Sequence, residues 1–325
     1  VRKQTMGIRI GVCGTGSFAR AFIPLFQAHP SVDEVVLADL LPDRLAEQAA
    51  NFGVARTVPS LDALCDSDVD AIALFTQRHL HGPQTLQALA AGKHVYCAVP
   101  IANTEAEIRA IVQAVAETRL IYMTGETSYY YPATLYCRSR FQAGDFGRFV
   151  YGEGQYYHDM AHGFYEAYQH SGGAEWKRVA GIPPMHYPTH SVSMILSVTG
   201  AHVTHVSCLG FDDQHEDGVF RPGANLWDNP YSNQTALMRT SDGGMMRINE
   251  FRRVGWKGLA SVQMSLFGTQ GCYQEQANAQ AWVTLADGPE DVTALLETRN
   301  LPVEKTAGVH EAVLQDYHMS VSQVH

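Results

Sequence analysis

A glycine-rich turn near the start of the chain has the residue types that bind phosphate. Gly14-x-Gly16-x-x-Ala19 follows a short apolar run and opens a helix-length segment, which is the setting that a dinucleotide-binding turn requires. Gly14 permits a tight turn, Gly16 lets the backbone approach a pyrophosphate, and Ala19 lets the helix pack closely on the strand. The start of the helix adds amide donors and positive potential. The turn residues that we expect to contact the cofactor are Gly14, Thr15, Gly16, Ser17 and Phe18.

Asp39 indicates which dinucleotide the turn receives. It ends the second apolar run, about 20 residues beyond Ala19, where a carboxylate accepts hydrogen bonds from the adenosine ribose. The same charge repels a ribose 2′-phosphate. No basic residue follows directly, although Arg44 is near. We therefore expect NAD as the cofactor and regard NADP as the less favoured alternative.

The elements that must position these residues alternate over residues 1–126. Short apolar runs of strand type occupy residues 8–13, 35–38, 71–75, 94–97 and 120–123. Helix-length amphipathic segments lie between them, at residues 18–28, 42–51, 80–91 and 105–117. Pro42 suits a first helical turn, and Asn103-Thr104 are candidate caps. This alternation predicts an α/β domain with a doubly wound parallel sheet.

Residues 127–325 have a different pattern. A helix-like stretch runs to residue 141, and one further helix is expected at residues 188–198. Alternating runs lie at residues 149–157, 203–211, 235–239, 245–253, 261–267 and 281–285. They predict a mostly antiparallel sheet with few covering helices, so one face should meet another surface, as in a homo-oligomer. Residues 212–231 form a long polar loop, and residues 309–325 are amphipathic.

The composition excludes several classes of partner. The formal net charge is -10 and no run of Lys or Arg occurs, which disfavours nucleic acid and anionic membranes. Hydrophobic residues make up 46%, which is typical of a globular protein, yet no apolar stretch approaches the ~20 residues of a membrane span. Residues 1–6 precede a predicted strand and not the apolar segment of a signal peptide. The six cysteines are far apart in the sequence, a pattern typical of reduced thiols. We therefore expect a cytoplasmic protein.

Residues 76–100, TQRHLHGPQTLQALAAGKHVYCAVP, together with the glycine turn and Asp39, resemble the Gfo/Idh/MocA oxidoreductases. The order of elements follows that family over essentially the whole chain. The resemblance implies a Rossmann domain, a C-terminal α/β domain whose open sheet mediates dimers or tetramers, and hydride transfer between NAD(P) and a hydroxyl of a sugar or cyclitol. It adds candidate cofactor contacts at Thr76, Gln77, His81, Ala98 and Glu126.

The chain departs from that family at one functional position. Ala98-Val99-Pro100 stands where relatives carry Glu-Lys-Pro, whose lysine assists proton transfer from the substrate hydroxyl. Valine can neither accept nor donate a proton. Pro100 still suits the turn, and we expect a cis bond before it, as in relatives. Another group must therefore reach the substrate oxygen.

His190 is the candidate for that group. The string Met185–Ser193 occupies the position of the family's D-x-G-x-H-x-x-D motif, of which only the histidine is retained. We expect Pro188 to begin a helix, so that the helix dipole disfavours a positive ring at His190 and leaves a neutral proton acceptor. His186 and Tyr187 are expected to assist. We predict no metal, since only His158 and His162 could complete a set of ligands.

Two other functions stay open. The Tyr187–His190 string also resembles the NAD-dependent N-acetylgalactosaminidases, which transiently oxidise a ring hydroxyl, eliminate the glycosidic bond and return the hydride. Tyr157 and His158 could supply further proton transfers in such a reaction. The alternative is a nucleotide-binding protein that lacks turnover because Val99 replaces the lysine.

Overall fold

The computed structural model of the protein describes residues 7–256 and 262–296. The described chain divides into two compact units, of which the first ends at Gly125 and the second begins at Glu126. The amphipathic segment predicted at residues 309–325 lies outside the described residues, and so does residue 261 of a predicted strand.

The first unit is a six-stranded parallel sheet with helices between its strands. The strands are β1 (Ile8–Cys13), β2 (Val32–Ala38), β3 (Arg56–Val58), β4 (Ala71–Leu74), β5 (His94–Ala98) and β6 (Tyr122–Gly125). The helices are α1 (Ala19–Ala28), α2 (Pro42–Phe52), α3 (Leu61–Cys65), α4 (His81–Ala90) and α5 (Glu105–Thr118). The strand order is β3-β2-β1-β4-β5-β6, which is that of a dinucleotide-binding fold. The predicted doubly wound parallel sheet is confirmed.

Local sequence signals account for most of these boundaries. Thr104 caps α5 in a capping box with Glu107, and Pro42 is the first residue of α2. These two signals were read correctly. The strand expected from residue 120 begins at Tyr122 instead. The short elements β3 and α3 were not predicted, because three and five residues are too few to show a periodic pattern.

The second unit has an eight-stranded sheet and four α-helices among its described residues. The helices are α6 (Pro132–Gln142), α7 (Tyr165–Gly172), α8 (Trp176–Ala180) and α9 (Thr189–Thr199). The strands are β7 (Phe149–Tyr157), β8 (Val203–Asp212), β9 (Tyr231–Thr240), β10 (Met245–Phe251), β11 (Val262–Gly268), β12 (Gly271–Glu275), β13 (Gln280–Thr284) and β14 (Gly288–Asp291). Their order is β14-β13-β12-β11-β7-β10-β9-β8, and only β10 and β7 pair in parallel among the described strands. The mostly antiparallel sheet is confirmed. The prediction of a single helix between the strands was wrong, because the short helices α7 and α8 also lie between β7 and α9. The strands β12 and β14 were not predicted.

Two glycines in β7 allow α9 to lie directly on this sheet. A Cβ atom at Gly154 would lie 2.2 Å from the backbone oxygen of Ser191, and one at Gly152 would lie 3.0 Å from Ile195. The distance at Gly154 is too short for any Cβ, and that at Gly152 is tighter than most Cβ contacts, so the close packing of helix on strand depends above all on Gly154. This packing sets the position of His190, the second residue of α9.

The uncovered face of the same sheet carries large apolar side chains. Leu209, Leu237 and Met245 are 80%, 60% and 51% exposed. The strand register places them on one face, together with Phe211. Exposed apolar side chains that lie together on one sheet face are typical of a surface that another protein covers.

The loop predicted at residues 212–231 is confirmed, since β8 ends at Asp212 and β9 begins at Tyr231. Side chains of the loop itself form hydrogen bonds with its backbone. The side-chain amide of Asn225 donates to the carbonyl oxygens of Val219 and Asn229 at 3.1 and 2.9 Å. Buried asparagines therefore replace regular secondary structure in satisfying this segment's backbone.

No helix of residues 7–256 and 262–296 is long and apolar enough to cross a membrane. All six cysteines lie in the described parts of the chain and none forms a disulfide. Cys13, Cys97 and Cys137 are buried, where they pack as small apolar side chains.

Candidate functional site

The glycine turn has the geometry that its sequence predicts. Gly14 has φ +87°, and a Cβ there would lie 2.7 Å from the carbonyl oxygen of Phe75, so the position requires glycine. Gly16 differs, because nothing lies within 4 Å of the place a Cβ would take. Thr15 is buried and Ser17 is exposed, while the Phe18 ring packs against other aromatic rings of the unit. The open space beside Gly16 is where a pyrophosphate could approach the backbone.

Asp39 lies beside this turn, but its carboxylate is already fully paired. The Thr15 amide and hydroxyl donate to Oδ2 at 2.8 and 2.9 Å, and the Leu41 amide donates to Oδ1 at 2.9 Å. Arg44 donates from Nε to Oδ2 at 3.1 Å and from Nη2 to Oδ1 at 3.0 Å. Burial opposes the charge of Asp39, yet Arg44 and the amides outweigh burial and lower the pKa of that carboxyl. The sequence predicted the position of Asp39 and missed its pairing with Arg44.

The residues expected beside the nicotinamide ribose follow β4. The Thr76 hydroxyl donates to the Gln84 side chain, and Gln77 precedes a 3₁₀ turn. His81 is buried, with Nδ1 2.7 Å from the carbonyl oxygen of Pro100 and Nε2 3.1 Å from that of Thr76. Burial lowers the pKa of His81. Its ring therefore links the loops that follow β4 and β5, a role that the sequence did not predict.

The tripeptide that replaces Glu-Lys-Pro is apolar and buried. Ala98 ends β5 and Val99 is 5% exposed. The bond between Val99 and Pro100 is cis, as expected. The lysine position thus carries no group that can transfer a proton.

In the second unit, His190 is the centre of a buried row of hydrogen bonds. Its Nδ1 lies 2.7 Å from Oε1 of Glu126 and 3.1 Å from Oγ of Ser128. Its Nε2 lies 2.9 Å from the hydroxyl of Tyr187. His190 is 1% exposed, and the Glu126 side chain is 12% exposed. The row Glu126–His190–Tyr187 is named the proton relay below.

The chemistry of the partners fixes where the protons of the relay lie. Burial disfavours the charge of Glu126, but the interaction with His190 and the Ser128 amide lower the pKa of this carboxyl. An ionised carboxylate only accepts, so Nδ1 of His190 must donate to it. In the neutral ring Nε2 is then an acceptor, and the Tyr187 hydroxyl donates to it. The sequence did not predict that a carboxylate lies beside His190.

Other predicted groups lie outside this row. His186 is exposed in a 3₁₀ turn, and no described contact joins it to His190. Pro188 immediately precedes α9 and is not its first residue. Tyr157 stacks on Phe251. Within the described parts of the chain no three His, Cys, Asp or Glu side chains are placed to hold a metal ion.

A second tyrosine and histidine pair packs against the relay. The ring of Tyr156 meets the ring of His190 edge-on, with centroids 5.3 Å apart. The Tyr156 hydroxyl lies 2.7 Å from Nδ1 of His158, whose Nε2 donates to the carbonyl oxygen of His162 at 2.7 Å. Both ring nitrogens of His158 are therefore engaged with protein groups. The alternation of glycines with Tyr156 along β7 was the signal that could have found this residue.

A buried ion pair lies under α9 and was not predicted. Glu250 is 0% exposed, accepts from the Ser191 hydroxyl, and lies 2.9 Å from Nη2 of Arg252. Burial raises the pKa of Glu250 to about 7, despite the pairing with Arg252. Glu250 lies near the end of β10 and Arg252 lies just beyond it, so two opposite charges close together at the end of a strand were the sequence signal for this pair.

Comparison with known proteins supports the fold and the cofactor class. Residues 8–126 match the GFO_IDH_MocA model, an oxidoreductase family with an NAD-binding Rossmann fold. A 4-carboxy-2-hydroxymuconate-6-semialdehyde dehydrogenase of Sphingobium sp. is 30% identical over 42% of this chain and 44% of its own length. A glycosyl hydrolase family 109 protein of Streptomyces filamentosus is 25% identical over 82% of this chain and 58% of its own.

Solved structures also match the fold of this chain. A levoglucosan dehydrogenase in complex with NADH and levoglucosan aligns with a TM-score of 0.75 at 18% identity, covering 98% of this chain and 90% of that one. The chain spans about half the length of the curated relatives it matches. Residues 8–126 therefore match the NAD-binding Rossmann domain of the Gfo/Idh/MocA oxidoreductase family.

Proposed function

We propose that this chain is an NAD-dependent oxidoreductase that transfers a hydride between the nicotinamide and a hydroxyl-bearing carbon of a sugar or cyclitol. The observation that carries the proposal is the buried proton relay, which includes the Tyr187 hydroxyl, in a chain that has an NAD-binding Rossmann domain. The named relatives support a carbohydrate as the substrate class.

Bound NAD would supply the hydride acceptor, and the residues of the first unit fit it. Gly16 leaves open the space that a pyrophosphate needs, and Gly14 forms the tight turn. The helix start at α1 adds amide donors. Asp39 and Arg44 would lie at the adenosine ribose, at the end of β2.

The protein's own part in the reaction is to accept the proton. Oxidation of an alcohol releases a hydride from carbon and a proton from oxygen. Tyr187 is the member of the relay with a hydroxyl, a group that can exchange a proton with the substrate and with Nε2 of His190, so it is the catalytic residue of this proposal. It takes the substrate proton while its own proton passes to Nε2 of His190. Glu126 stabilises the positive ring, so the relay replaces the lysine lost at Val99. His186 is the weaker candidate to assist, because it is exposed.

A substrate panel tests the proposal. Sugars and cyclitols are incubated with saturating NAD, and NADH is followed by its absorbance. At least one polyol should give NADH, with a slower rate when the reacting carbon carries deuterium. Absence of NADH with every compound would refute net oxidation.

A redox-neutral glycosidase is the second candidate. It is favoured by the match to a glycosyl hydrolase family 109 protein over 82% of this chain, and by the Tyr187–His190 pair. An aryl glycoside tests this function. NAD-dependent release of its aglycone, without net formation of NADH, would establish it. NAD binding with neither reaction would leave the third alternative, a nucleotide-binding protein without turnover.

The exposed sheet face and the thiols support proposals on assembly and location. We propose a homo-oligomer, a dimer or tetramer, that covers the apolar sheet face around Leu209 and Leu237. The six unpaired thiols support the cytoplasm as its location. Light scattering after gel filtration would measure the oligomer, and a monomer at all concentrations would contradict it.

A further inference from the structure

A buried pair of charges lies between α9 and the sheet, next to the proton relay. The side chains of Glu250 and Arg252 are 0% and 6% exposed, and Nη2 of Arg252 lies 2.9 Å from Oε2 of Glu250. Oε1 of Glu250 accepts from the hydroxyl of Ser191, the residue that follows His190. Because both charges are withdrawn from water, dissolved salt screens them little. The guanidinium stays positive at every working pH, so the pair is neutral only while Glu250 is ionised.

The ring of Tyr156 contacts both Arg252 and the relay. The guanidinium carbon of Arg252 lies 4.8 Å from the centre of this ring, and the ring meets that of His190 edge-on, with centroids 5.3 Å apart. Tyr156 and Glu250 are paired in register on β7 and β10, so they share one face of the sheet. Tyr156 and His190 are 2% and 1% exposed. An unbalanced positive charge at Arg252 would therefore act on His190 across one side chain, in surroundings where charges interact more strongly than in water.

We infer that Glu250 is a positioning residue of the proton relay, because it neutralises Arg252 and so allows the His190 ring to accept the substrate proton. The inference rests on the proposed function, in which Tyr187 passes its own proton to His190. Without the negative charge of Glu250, the nearby guanidinium would oppose a second positive charge on the ring. Glu126 stabilises the charged ring directly, and Glu250 removes the charge that opposes it.

The groups that face Glu250 determine how the effect depends on pH. Among the described residues, the titratable or charged ones are Arg252 just beyond β10, Tyr156 on β7 and His190 on α9, while Gln234, the partner on β9, is uncharged. Burial raises the pKa of Glu250 to about 7. Glu250 therefore carries a proton below this pH, where the charge of Arg252 is unbalanced, and is ionised above it. Turnover should accordingly rise as the pH increases through about 7.

Two variants test the inference through kcat for NADH formation. Glu250→Gln mimics the protonated acid, and its amide can still bond to Ser191. Its kcat should equal that of wild type at about pH 5.5 and fall about tenfold below wild type at about pH 8.5, with an unchanged Kd for NAD. The double variant Glu250→Gln/Arg252→Met removes both charges and keeps a similar side-chain volume, so it should recover most of this loss.

The matched control is Glu153→Gln, since Glu153 on β7 pairs with Arg247 on β10 at 3.1 Å, on the opposite face of the same two strands. Its kcat should equal that of wild type at every pH, and thermal unfolding shows whether each variant folds. A ratio of Glu250→Gln to wild type that is constant with pH would overturn the inference. A folded double variant as slow as Glu250→Gln would also overturn it, and if the double variant does not fold, the pH dependence of the single variant decides. A wild type without any turnover would refute the proposed function and this inference with it, whereas the other two results refute the inference alone.

Discussion

Replacing Glu126 by glutamine removes one charge from the proton relay and little else. The new amide oxygen can still accept from the Ser128 amide, which donates to Oε1 of Glu126 at 2.7 Å. The same oxygen can keep the bond from Nδ1 of His190. The ring therefore keeps its tautomer, and the Tyr187 hydroxyl keeps its acceptor at Nε2. What is lost is the negative charge that stabilises the ring once it has taken a proton.

The size of the loss follows from the geometry. The distance between Nδ1 of His190 and Oε1 of Glu126 is 2.7 Å, and both side chains are largely withdrawn from water. A buried hydrogen bond to a charged partner contributes about 1.5–3 kcal/mol, which corresponds to about a 10- to 100-fold change in rate. We expect kcat of Glu126→Gln to fall by this factor. The Kd of NAD should stay the same, because no residue of the glycine turn is altered.

The assay uses the sugar with the highest turnover and measures NADH formation from pH 5 to 10. Glu105→Gln is the matched control, since the Glu105 side chain is 76% exposed on α5, and its turnover should equal that of wild type. The rate of Glu126→Gln should fall over this whole pH range while its unfolding temperature stays at the wild-type value, because the substitution removes a charge and keeps the hydrogen bonds. A role in folding alone would lower the unfolding temperature as well.

One result would refute the reasoning. If Glu126→Gln folds as wild type does, and its kcat stays within about twofold at every pH, then the carboxylate does not stabilise a charge that forms during turnover. His190 would then not be the proton acceptor, and the relay would be a structural network of a buried histidine.

Three further predictions concern the turn, the relay and a buried acid. Tyr187→Phe should lower kcat about 100-fold or more and leave the Kd for NAD unchanged. The control is Tyr151→Phe, which should have no effect, because the Tyr151 hydroxyl bonds to Glu153. If the rate of Tyr187→Phe equals that of wild type, Tyr187 takes no part in proton transfer. Gly16→Ala should unfold at the wild-type temperature but bind NAD at least about tenfold more weakly, whereas Gly14→Ala should lose about 1–3 kcal/mol of stability because φ at this position is +87°. Calorimetry measures NAD binding, and thermal melts measure stability. Unchanged NAD binding by Gly16→Ala would contradict the phosphate contact. The free energy of unfolding should decline as pH rises from about 5 to 8, because the pKa of Glu250 is about 7 in the folded chain and near 4.5 in the unfolded chain, so the folded state binds the extra proton. Urea unfolding of Glu250→Gln should show a weaker decline with pH. If the free energy of unfolding of this variant declines as steeply as that of wild type, Glu250 is not the cause.

Features encoded by neighbouring residues could be predicted from the sequence. The glycine turn, the position of Asp39 after β2 and the cap of α5 at Thr104 each depend on a few consecutive residues, whose allowed backbone angles and hydrogen bonds decide the local structure. The same holds for the alternation of strands and helices, because burial of one face imposes its period on the sequence. The second sheet was predicted with less detail, since β12 and β14 are short and irregular in pattern.

Contacts between distant residues were decided by tertiary structure alone. Glu126 was expected to contact the cofactor, and the fold brings it to His190, 64 residues further along the chain. That meeting depends on Gly152 and Gly154, which let α9 approach β7, and nothing in the sequence near His190 indicates it. Asp39 and Arg44 are five residues apart, yet their pairing depends on the rotamer that the first turn of α2 and the buried Thr15 leave open. Side-chain partners over such distances are chosen by packing, and packing is a property of the folded chain as a whole.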